Sequence, residues 1–342
     1  MKALMLEEYM KLVYRDVSDP VRGDKDVLIK VKACSICGSD IHGMDGSTGR
    51  RRPPVIMGHE ASGVIEEASP SSAWKKGDRV TFDSTIYCGE CWFCRRGEIN
   101  LCDNRRVLGV SCEDYRQDGA FAEYVVVPQH IIYRLPDEVK FEQAVLVEAL
   151  SIAVHAVARA NIALGDTVVV VGAGMIGLLV IQALGIAGAK AVVAVDLDDS
   201  RLAMARKLGA SMTVNSGTSD PVAAVAGITG GRGADCAFEV VGIGPAVDTA
   251  AKVIRKGGKL TLVGNLAPTV PFPLQATVTR EITVLGCCSS RGEYPVCLDL
   301  IAGGRIDTAS ITSAIAPLSE GASWFNRLYE KEKGLLKVVL CP

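Results

Sequence analysis

Short stretches of alternating apolar and polar residues fill the first third of the chain. In the clearest of them, Val27–Ala33, side chains on one face are apolar and two lysines point the other way, which is the period of a half-buried strand. Further strands are predicted at 55–64, after the turn at 77–80, and over 119–136. Helical periodicity is scarce, so residues 1–135 are predicted to be mostly β.

The pattern changes at Phe141, where apolar residues recur with few breakers and predict a helix over 141–160. Two polar residues lie inside this apolar stretch. We interpret His155 as a buried histidine whose ring is satisfied by hydrogen bonds. Glu148 is different, because a carboxylate in apolar surroundings needs a partner such as a metal or water held by one.

From residue 161 to residue 285 buried strands alternate with helices, which is the pattern of a parallel α/β sheet. The predicted strands are 168–171, 191–195, 237–241, 260–263 and 282–286. The last fifty residues predict helices near 295–301 and 319–331 and a closing strand at 336–340.

A glycine-rich loop follows the strand at 168–171. It contains Gly172, Gly174, Met175, Ile176 and Gly177 and leads into an apolar helix. The next strand ends in Asp196, nineteen residues after Gly177. Strand, glycines, helix, strand and acid in this order predict a dinucleotide site, because backbone N–H groups at the helix start can bind a pyrophosphate.

Asp196 decides the expected cofactor. Its carboxylate would accept hydrogen bonds from the ribose hydroxyls of NAD and repel the extra phosphate of NADP. Arg201, five residues further on, could pair with that phosphate, so NADP stays a weaker alternative. Val263 and Gly264 end a later strand, where the backbone is expected to come close to the nicotinamide half.

Four of the twelve cysteines are regularly spaced, at Cys88, Cys91, Cys94 and Cys102. Four thiolates can close a tetrahedron around zinc and leave no open position, so the predicted site is structural. An iron–sulfur cluster is the weaker alternative, and four unrelated buried cysteines are weaker still. The remaining cysteines are interpreted as small buried apolar residues.

A second set of candidate ligands lies in one short segment, as Cys37, His59 and Glu60. Thiolate, imidazole and carboxylate are the ligand types that zinc accepts. Ser39 and His42 lie between them in the sequence, and they could pass a proton from the reacting centre outward to water. The segment therefore predicts a catalytic zinc site.

Composition and charge limit the classes of binding partner that are expected. The chain has 342 residues, 49% hydrophobic and 22% charged, with a formal net charge of -2, which is ordinary for a globular protein of two domains. Only Arg50–Arg52 forms a basic run, so neither nucleic acid nor a membrane surface is expected as a partner. No signal-peptide pattern is found at the start, and a cytoplasmic location is expected.

Together these motifs resemble the zinc-containing medium-chain dehydrogenases over essentially the whole chain. The resemblance implies a GroES-like, mostly β catalytic domain at 1–150 and 287–342. It implies an inserted Rossmann domain, a doubly wound parallel sheet, at 151–286. It also implies a homodimer or homotetramer.

Within that family the chain is similar to the polyol and sugar dehydrogenases. Alcohol dehydrogenases complete the catalytic zinc with a second cysteine, and here the matching position is Glu148. The resemblance implies that Glu148 either ligates the zinc or holds its water, and the order of Glu60 and Glu148 stays open. An aromatic residue common after the His42 position is replaced by Gly43. Arg291 is a candidate substrate contact, with a solvated surface charge as the alternative.

The expected activity is zinc-dependent oxidation of a secondary hydroxyl of a polyol, sugar or sugar acid to a ketone, with NAD as hydride acceptor. A threonine or vicinal-diol dehydrogenase is one alternative. A non-enzymatic sensor of NAD or zinc is another, although the complete set of ligands with Ser39 and His42 argues against it.

Overall fold

The computed structural model describes all 342 residues, which form two compact units. The first unit comprises Met1–Glu148, Tyr294–Gly304 and Thr308–Pro342, and the second comprises Ala149–Glu293 with Arg305–Asp307. Both ends of the chain thus belong to the first unit. The domain boundaries expected from the sequence, 150/151 and 286/287, stay a prediction.

Most of the strands are short. In chain order they are β1 (Lys2–Glu8), β2 (Lys11–Asp16), β3 (Asp26–Ser35), β4 (Val55–Ile56), β5 (Glu60–Glu67), β6 (Arg79–Phe82), β7 (Thr85–Ile86), β8 (Arg106–Val107), β9 (Val110–Ser111), β10 (Arg116–Gln117), β11 (Tyr124–Pro128), β12 (Ile132–Arg134), β13 (Thr167–Val171), β14 (Ala191–Asp196), β15 (Met212–Asn215), β16 (Ala234–Glu239), β17 (Ile254–Leu262), β18 (Thr283–Gly286), β19 (Thr312–Pro317) and β20 (Lys337–Cys341).

Helices are concentrated after residue 140. They are α1 (Gly38–Met44), α2 (Trp92–Arg95), α3 (Phe141–Ala144), α4 (Val147–Ala160), α5 (Met175–Ile186), α6 (Asp199–Lys207), α7 (Pro221–Ile228), α8 (Gly244–Val253), α9 (Leu274–Thr279), α10 (Tyr294–Ala302) and α11 (Gly321–Tyr329).

The first unit is built around a seven-stranded sheet. Its order is β12-β6-β5-β3-β20-β19, with β11 also paired to β3. The C-terminal strand β20 runs antiparallel to β3, with Leu340 opposite Cys34. The alternating side of β3 that is apolar, including Val27, Ile29 and Val31, is buried in the core of this unit.

The second unit contains six parallel strands in the order β15-β14-β13-β16-β17-β18. Numbered from its own first strand, this is the order 3-2-1-4-5-6 of a doubly wound dinucleotide-binding sheet. The direction of winding reverses between β13 and β16, so ligands are expected at the carboxyl ends of those strands. The predicted Rossmann sheet is confirmed.

Several element boundaries differ from the sequence-based prediction. The helix expected over 141–160 is divided into α3 and α4, and the strand expected over 55–64 is divided into β4 and β5. Between the latter two, Gly58 has a φ of 94°, a left-handed conformation that no continuous strand contains. Helix α1 was not predicted.

Two further differences have side-chain causes. The strand expected at 237–241 ends at Glu239, because the Glu239 carboxylate accepts N–H bonds from Val241 and Gly242 at 2.8 and 2.7 Å and turns the chain. His155 is buried, as predicted, but only half satisfied. Its Nδ1 lies 2.7 Å from Glu293 Oε1, whereas its Nε2 has no hydrogen-bond partner.

One helical stretch, Phe141–Ala160, is long and apolar enough to cross a membrane by length and composition alone. Most of its most apolar window, 61%, is buried inside the protein. That burial is typical of a core helix, so the stretch is weak evidence for a membrane span.

The glycine loop supplies a matched pair of test positions. A Cβ at Gly177 would lie 1.9 Å from the carbonyl oxygen of Gly172, whereas a Cβ at Gly174 would meet nothing within 4 Å. We therefore expect Gly177→Ala to lower the free energy of unfolding by about 1–3 kcal/mol. Gly174→Ala is expected to change it by less than about 0.5 kcal/mol. Denaturant unfolding of both variants checks this, and equal losses would contradict the packing argument.

Candidate active site

Helix α1 positions the first candidate ligand. Cys37 is its N-cap residue, and the Asp40 carboxylate in the first turn accepts a 3.4 Å hydrogen bond from the Cys37 backbone N–H. A carboxylate at this position also complements the positive end of the helix. The Cys37 side chain is therefore held at the start of a rigid turn, half-buried in the protein.

Cys37, His59 and Glu60 come together in the folded chain. One donor atom from each of the three residues lies within 4.8 Å of the other two. His59 and Glu60 are buried, at 5% and 1% exposure. Sulfur, imidazole nitrogen and carboxylate oxygen at this spacing fit a zinc ion with a fourth position left open.

Two buried groups hold the Glu60 carboxylate. Lys337 Nζ lies 2.5 Å from Glu60 Oε2, and the Ser35 hydroxyl donates to the same oxygen. Lys337 also donates to the carbonyl oxygen of Ile36 at 3.2 Å. Both donors to Glu60 use Oε2, so the opposite oxygen, Oε1, is the one that neither of them engages.

Asp40 supports the other side of the group. It is fully buried, and its Oδ1 lies 3.0 Å from Arg51 Nη2 and 3.4 Å from His59 Nδ1. Burial alone would raise the pKa of Asp40, but the charges of His59 and Arg51 and the hydrogen bonds from Arg51 outweigh burial and hold that pKa below its ordinary value. The carboxylate therefore stays ionised and orients the His59 ring.

Glu148 lies at the start of α4 and outside the group of three. The Ser84 hydroxyl donates to Glu148 Oε1 at 2.9 Å. Burial of the carboxyl group and the nearby negative charge of Glu60 raise the pKa of Glu148, against the opposing effect of His59. The geometry thus favours Glu60 as the nearer carboxylate, and the ligand role of Glu148 stays a prediction.

The two residues expected to move a proton share helix α1. Ser39 is exposed and His42 is half-buried, so both can be reached from outside the core of the first unit. The Ser39 hydroxyl oxygen lies 3.5 Å from Arg51 Nη2. This places a hydroxyl and an imidazole in the two turns after Cys37.

The four spaced cysteines also meet, with their sulfur atoms all within 4.8 Å of one another. None is in a disulfide, and the Sγ atoms of Cys88 and Cys102 are 3.6 Å apart. A zinc tetrahedron with Zn–S bonds of 2.3 Å has S–S edges of about 3.8 Å. Backbone N–H groups of Cys88, Cys91 and Cys94 point at sulfur atoms of the group, at 3.3 to 3.5 Å.

These N–H groups change the acidity of the thiols. The backbone N–H groups of Glu90 and Cys91 lower the pKa of Cys88 to about 6, whereas burial raises the pKa of Cys94 to about 12. Since a thiol must lose its proton to bind a metal, the N–H donors favour the charged form that zinc requires. The group fits a closed structural zinc site.

The glycine loop has the geometry of a phosphate-binding turn. Gly172 has a φ of 104°, and Gly174 is the N-cap of α5 without any side-chain cap. The first N–H groups of a helix have no partner within it, so those of Met175, Ile176 and Gly177 are available to an anion. The open space beside Gly174 leaves room for a ligand to approach the backbone.

Asp196 ends β14 beside this loop. Its Oδ2 accepts the N–H of Ala173 at 2.7 Å, and its Oδ1 accepts the N–H groups of Leu197 and Asp198 at 2.7 and 3.0 Å. The loop and the acid are therefore tied together, and the ribose contact of Asp196 stays a prediction. Arg201 lies in the first turn of α6 with an exposed side chain.

The remaining residues predicted to contact cofactor or substrate are Val263, Gly264 and Arg291. The N–H groups of Val263 and Gly264 both donate to the carbonyl oxygen of Glu239, at 2.8 and 3.0 Å. A Cβ at Gly264 would lie 2.1 Å from the Gly242 nitrogen, so only glycine fits there. Arg291 is exposed and its backbone N–H donates to Glu293. Its contact with substrate stays a prediction.

Sequence reasoning missed two cations, Lys337 and Arg51. Lys337 was assigned only to a closing strand, although a lysine among Leu336, Val338 and Val339 is a signal that a buried counter-ion is needed. Arg51 was counted only as part of a basic run. Its buried ion-pair partner in the fold, Asp40, could not be identified from sequence distance.

Comparison with known proteins agrees with this geometry. Residues 23–137 match the alcohol dehydrogenase GroES-like domain, and residues 176–303 match the zinc-binding dehydrogenase domain. D-arabitol-phosphate dehydrogenase of Enterococcus avium is 35% identical over 94% of this chain and 92% of its own length. L-idonate 5-dehydrogenase of Vitis vinifera is 36% identical over 84% of this chain and 80% of its own length.

The chain belongs to the zinc-binding dehydrogenases. The GroES-like and Rossmann architecture, the zinc requirement and the oxidoreductase class predicted from the sequence are confirmed. A Sinorhizobium meliloti 1021 protein described as a zinc-binding dehydrogenase, solved with NADP, superposes with a TM-score of 0.92. It is 32% identical, and the alignment covers 100% of this chain and 99% of the other. A nicotinamide cofactor is thus supported, without a decision between NAD and NADP.

The cysteine group allows a direct test. We expect Cys94→Ala to lower the zinc content from about two to about one ion per chain and to lower the melting temperature, because a closed site contributes to folding. Cys112→Ala is the control, since Cys112 belongs to neither group of ligands. Atomic absorption and thermal unfolding check both variants, and full zinc retention in Cys94→Ala would contradict the assignment.

Proposed function

We propose that this dehydrogenase oxidises a secondary hydroxyl of a polyol, sugar or sugar acid to a ketone, with NAD as the hydride acceptor. The observation that carries the proposal is the group of Cys37, His59 and Glu60, together with the exposed Ser39 and the half-buried His42 on the helix α1 that Cys37 caps. A zinc ion held by this group would act as a Lewis acid and lower the pKa of the substrate hydroxyl.

The chain's own residues handle the proton. Ser39 accepts it from the substrate hydroxyl and gives up its own proton toward His42 or solvent. Asp40 keeps the His59 ring oriented, and Lys337 holds the Glu60 carboxylate in place. Glu148 is proposed as the second carboxylate beside the group, held by Ser84.

The choice of NAD rests on Asp196. Its carboxylate is fixed at the carboxyl end of β14 by three backbone N–H groups, where the adenosine ribose is expected. A phosphate on that ribose would be repelled by the same charge. The exposed Arg201 could weaken this preference, and the NADP-bound relative keeps NADP as the alternative.

Two observations support the substrate class. The two relatives described above are named for a polyol phosphate and a sugar acid, both of which carry secondary hydroxyls. The resemblance to the family also implies that Glu148 occupies the position of a cysteine in the alcohol dehydrogenases and of a glutamate in the polyol dehydrogenases. The substrate is proposed to be a small polyhydroxylated molecule, and Arg291 is the proposed contact for an acidic substituent.

The test measures NADH absorbance with polyols, polyol phosphates, aldonates, threonine and butanediols, each with NAD and with NADP. We expect turnover with a polyhydroxylated substrate and NAD. Cys37→Ser and His59→Ala should abolish turnover and leave NAD binding intact, as measured by calorimetry. Turnover with threonine alone would move the enzyme to the amino-acid branch, and none with any substrate would favour a sensor.

We also propose that the enzyme is a homodimer, alone or within a tetramer, and that it works in the cytoplasm. Strand β18 lies at one edge of the parallel sheet, where its outer backbone groups lack strand partners. Exposed apolar side chains lie on it and on α9: Val284 is 37% exposed, and Leu274 and Val278 are each 67% exposed. An apolar edge of this kind is typical of a surface that pairs with a second copy.

Val284→Lys tests the dimer, because a lysine on an edge strand opposes strand pairing. We expect the variant to elute as a monomer in size-exclusion chromatography with light scattering, while the wild type elutes as a dimer or tetramer. Val296→Lys is the control, since Val296 is 52% exposed on α10 in the first unit. An unchanged mass for Val284→Lys would exclude this edge.

A further inference from the structure

Arg51 occupies the space that a side chain at position 43 would fill. A Cβ at Gly43 would lie 2.2 Å from Arg51 Cγ and 3.1 Å from Arg51 Cβ. These are atoms of the stem of the arginine and not of its flexible end, so a larger residue at position 43 would force the whole side chain away. Gly43 is thus the reason that Arg51 can lie 4% exposed against helix α1.

The guanidinium of Arg51 reaches two residues of α1 at once. It contacts Asp40 Oδ1 through Nε at 3.4 Å and through Nη2 at 3.0 Å, and Nη2 lies 3.5 Å from Ser39 Oγ. Its third nitrogen, Nη1, donates to the carbonyl oxygen of Arg50 at 3.2 Å. Contacts at all three nitrogens therefore fix the orientation of the guanidinium, and a lysine could not make the same set of contacts.

A hydroxyl has one proton to donate and two lone pairs that accept. Arginine is always protonated and offers only donors, so in its contact with Arg51 the Ser39 oxygen is the acceptor. One lone pair is then committed to Arg51. The other lone pair and the O–H bond remain, and they must be used by the two neighbours of Ser39 along the proton path.

We propose that Arg51 is a positioning residue that sets the direction of proton transfer through Ser39. With one lone pair occupied, Ser39 accepts the substrate proton on the other lone pair as its own O–H bond breaks toward His42 or water. The substrate O–H bond is lost, a Ser39 O–H bond forms, and one proton leaves outward, so the charge on Ser39 is unchanged. The Ser39 O–H bond breaks slightly ahead of the arrival of the substrate proton, and the Arg51 cation stabilises the transient negative charge on the Ser39 oxygen.

This inference rests on the proposed role of Ser39 and extends it to a residue outside the ligand group. If Arg51 acted only through Asp40 and His59, its loss would weaken zinc binding, and the effect would be the same with or without the Ser39 hydroxyl. If Arg51 acts through Ser39, removing the hydroxyl first should remove the effect. The two cases are separated by a double-variant comparison.

The experiment compares Arg51→Met, Arg51→Lys, Ser39→Ala and the double variant Ser39→Ala/Arg51→Met with the wild type. Arg52→Met is the matched control, because Arg52 is exposed and its Nη2 pairs, at 3.6 Å, with Oε2 of the exposed Glu113. For each protein kcat, KM, zinc content, zinc affinity by chelator competition and melting temperature are measured. The substrate is any secondary alcohol that the wild type oxidises.

We expect Arg51→Met to lower kcat by about tenfold or more with little change in KM, and to keep the zinc content and zinc affinity of the wild type. Arg51→Lys should be intermediate, and Arg52→Met unchanged. The double variant should have the kcat of Ser39→Ala. A further fall in the double variant, or zinc loss from Arg51→Met, would overturn the proposal.

Two outcomes are kept distinct. If Arg51→Met does not fold, Arg51→Lys decides, because an unchanged kcat in that variant would overturn the proposal. If the wild type oxidises no alcohol, the proposed function fails. The melting temperatures of the variants then test whether Ser39 and Arg51 interact. Shifts of Ser39→Ala and Arg51→Met that add in the double variant would then refute an interaction between the two side chains.

Discussion

The buried ion pair of Glu60 and Lys337 is the contact on which the candidate active site depends. It joins residues 277 positions apart and ties β5 to the C-terminal strand β20 inside the first unit. Burying two such charges costs several kcal/mol per ion, and only a close pair with further hydrogen bonds offsets that cost. Ser35 and the carbonyl oxygen of Ile36 provide those bonds. The C-terminal segment therefore completes a site whose ligands all lie near the N-terminus.

A second buried pair, Asp40 with Arg51, performs the same task on the other side of the group. Each pair orients one ligand of the zinc group. Lys337 positions the Glu60 carboxylate, and Asp40, paired with Arg51, positions the His59 ring. Both pairs are made by protein side chains that contact the zinc ligands and support their positions. Ligands supported in this way keep the catalytic ion in one geometry during the reaction.

Much of this organisation could be predicted from the sequence, because its strongest signals are local. The cysteine spacing, the glycine loop with Asp196, and the segment from Cys37 to Glu60 each lie within a few dozen residues. Their ligand types and backbone needs indicate zinc and a dinucleotide. The parallel sheet of the second unit was predicted from its alternating strands and helices. Its edge strand β15, Met212–Asn215, was not among the predicted strands, and several element boundaries differ.

What the sequence could not predict depends on distant contacts. Lys337 meets Glu60 only after the chain has passed through the whole second unit, and Arg51 was masked by two exposed arginines beside it. Helix α1 is too short for a periodic pattern to identify and is specified by its cap. The identity of the substrate could not be predicted either, because the zinc ligands require only that the substrate carries a hydroxyl group.

The two ligand groups predict that one chain holds two different zinc ions, one bound by four sulfurs and one by a single sulfur with nitrogen and oxygen. X-ray absorption at the zinc edge of the fully loaded protein tests it directly. The two groups predict about two zinc ions per chain with an average of about 2.5 sulfur neighbours each. One zinc per chain with about four sulfur neighbours would show that Cys37, His59 and Glu60 do not hold the metal.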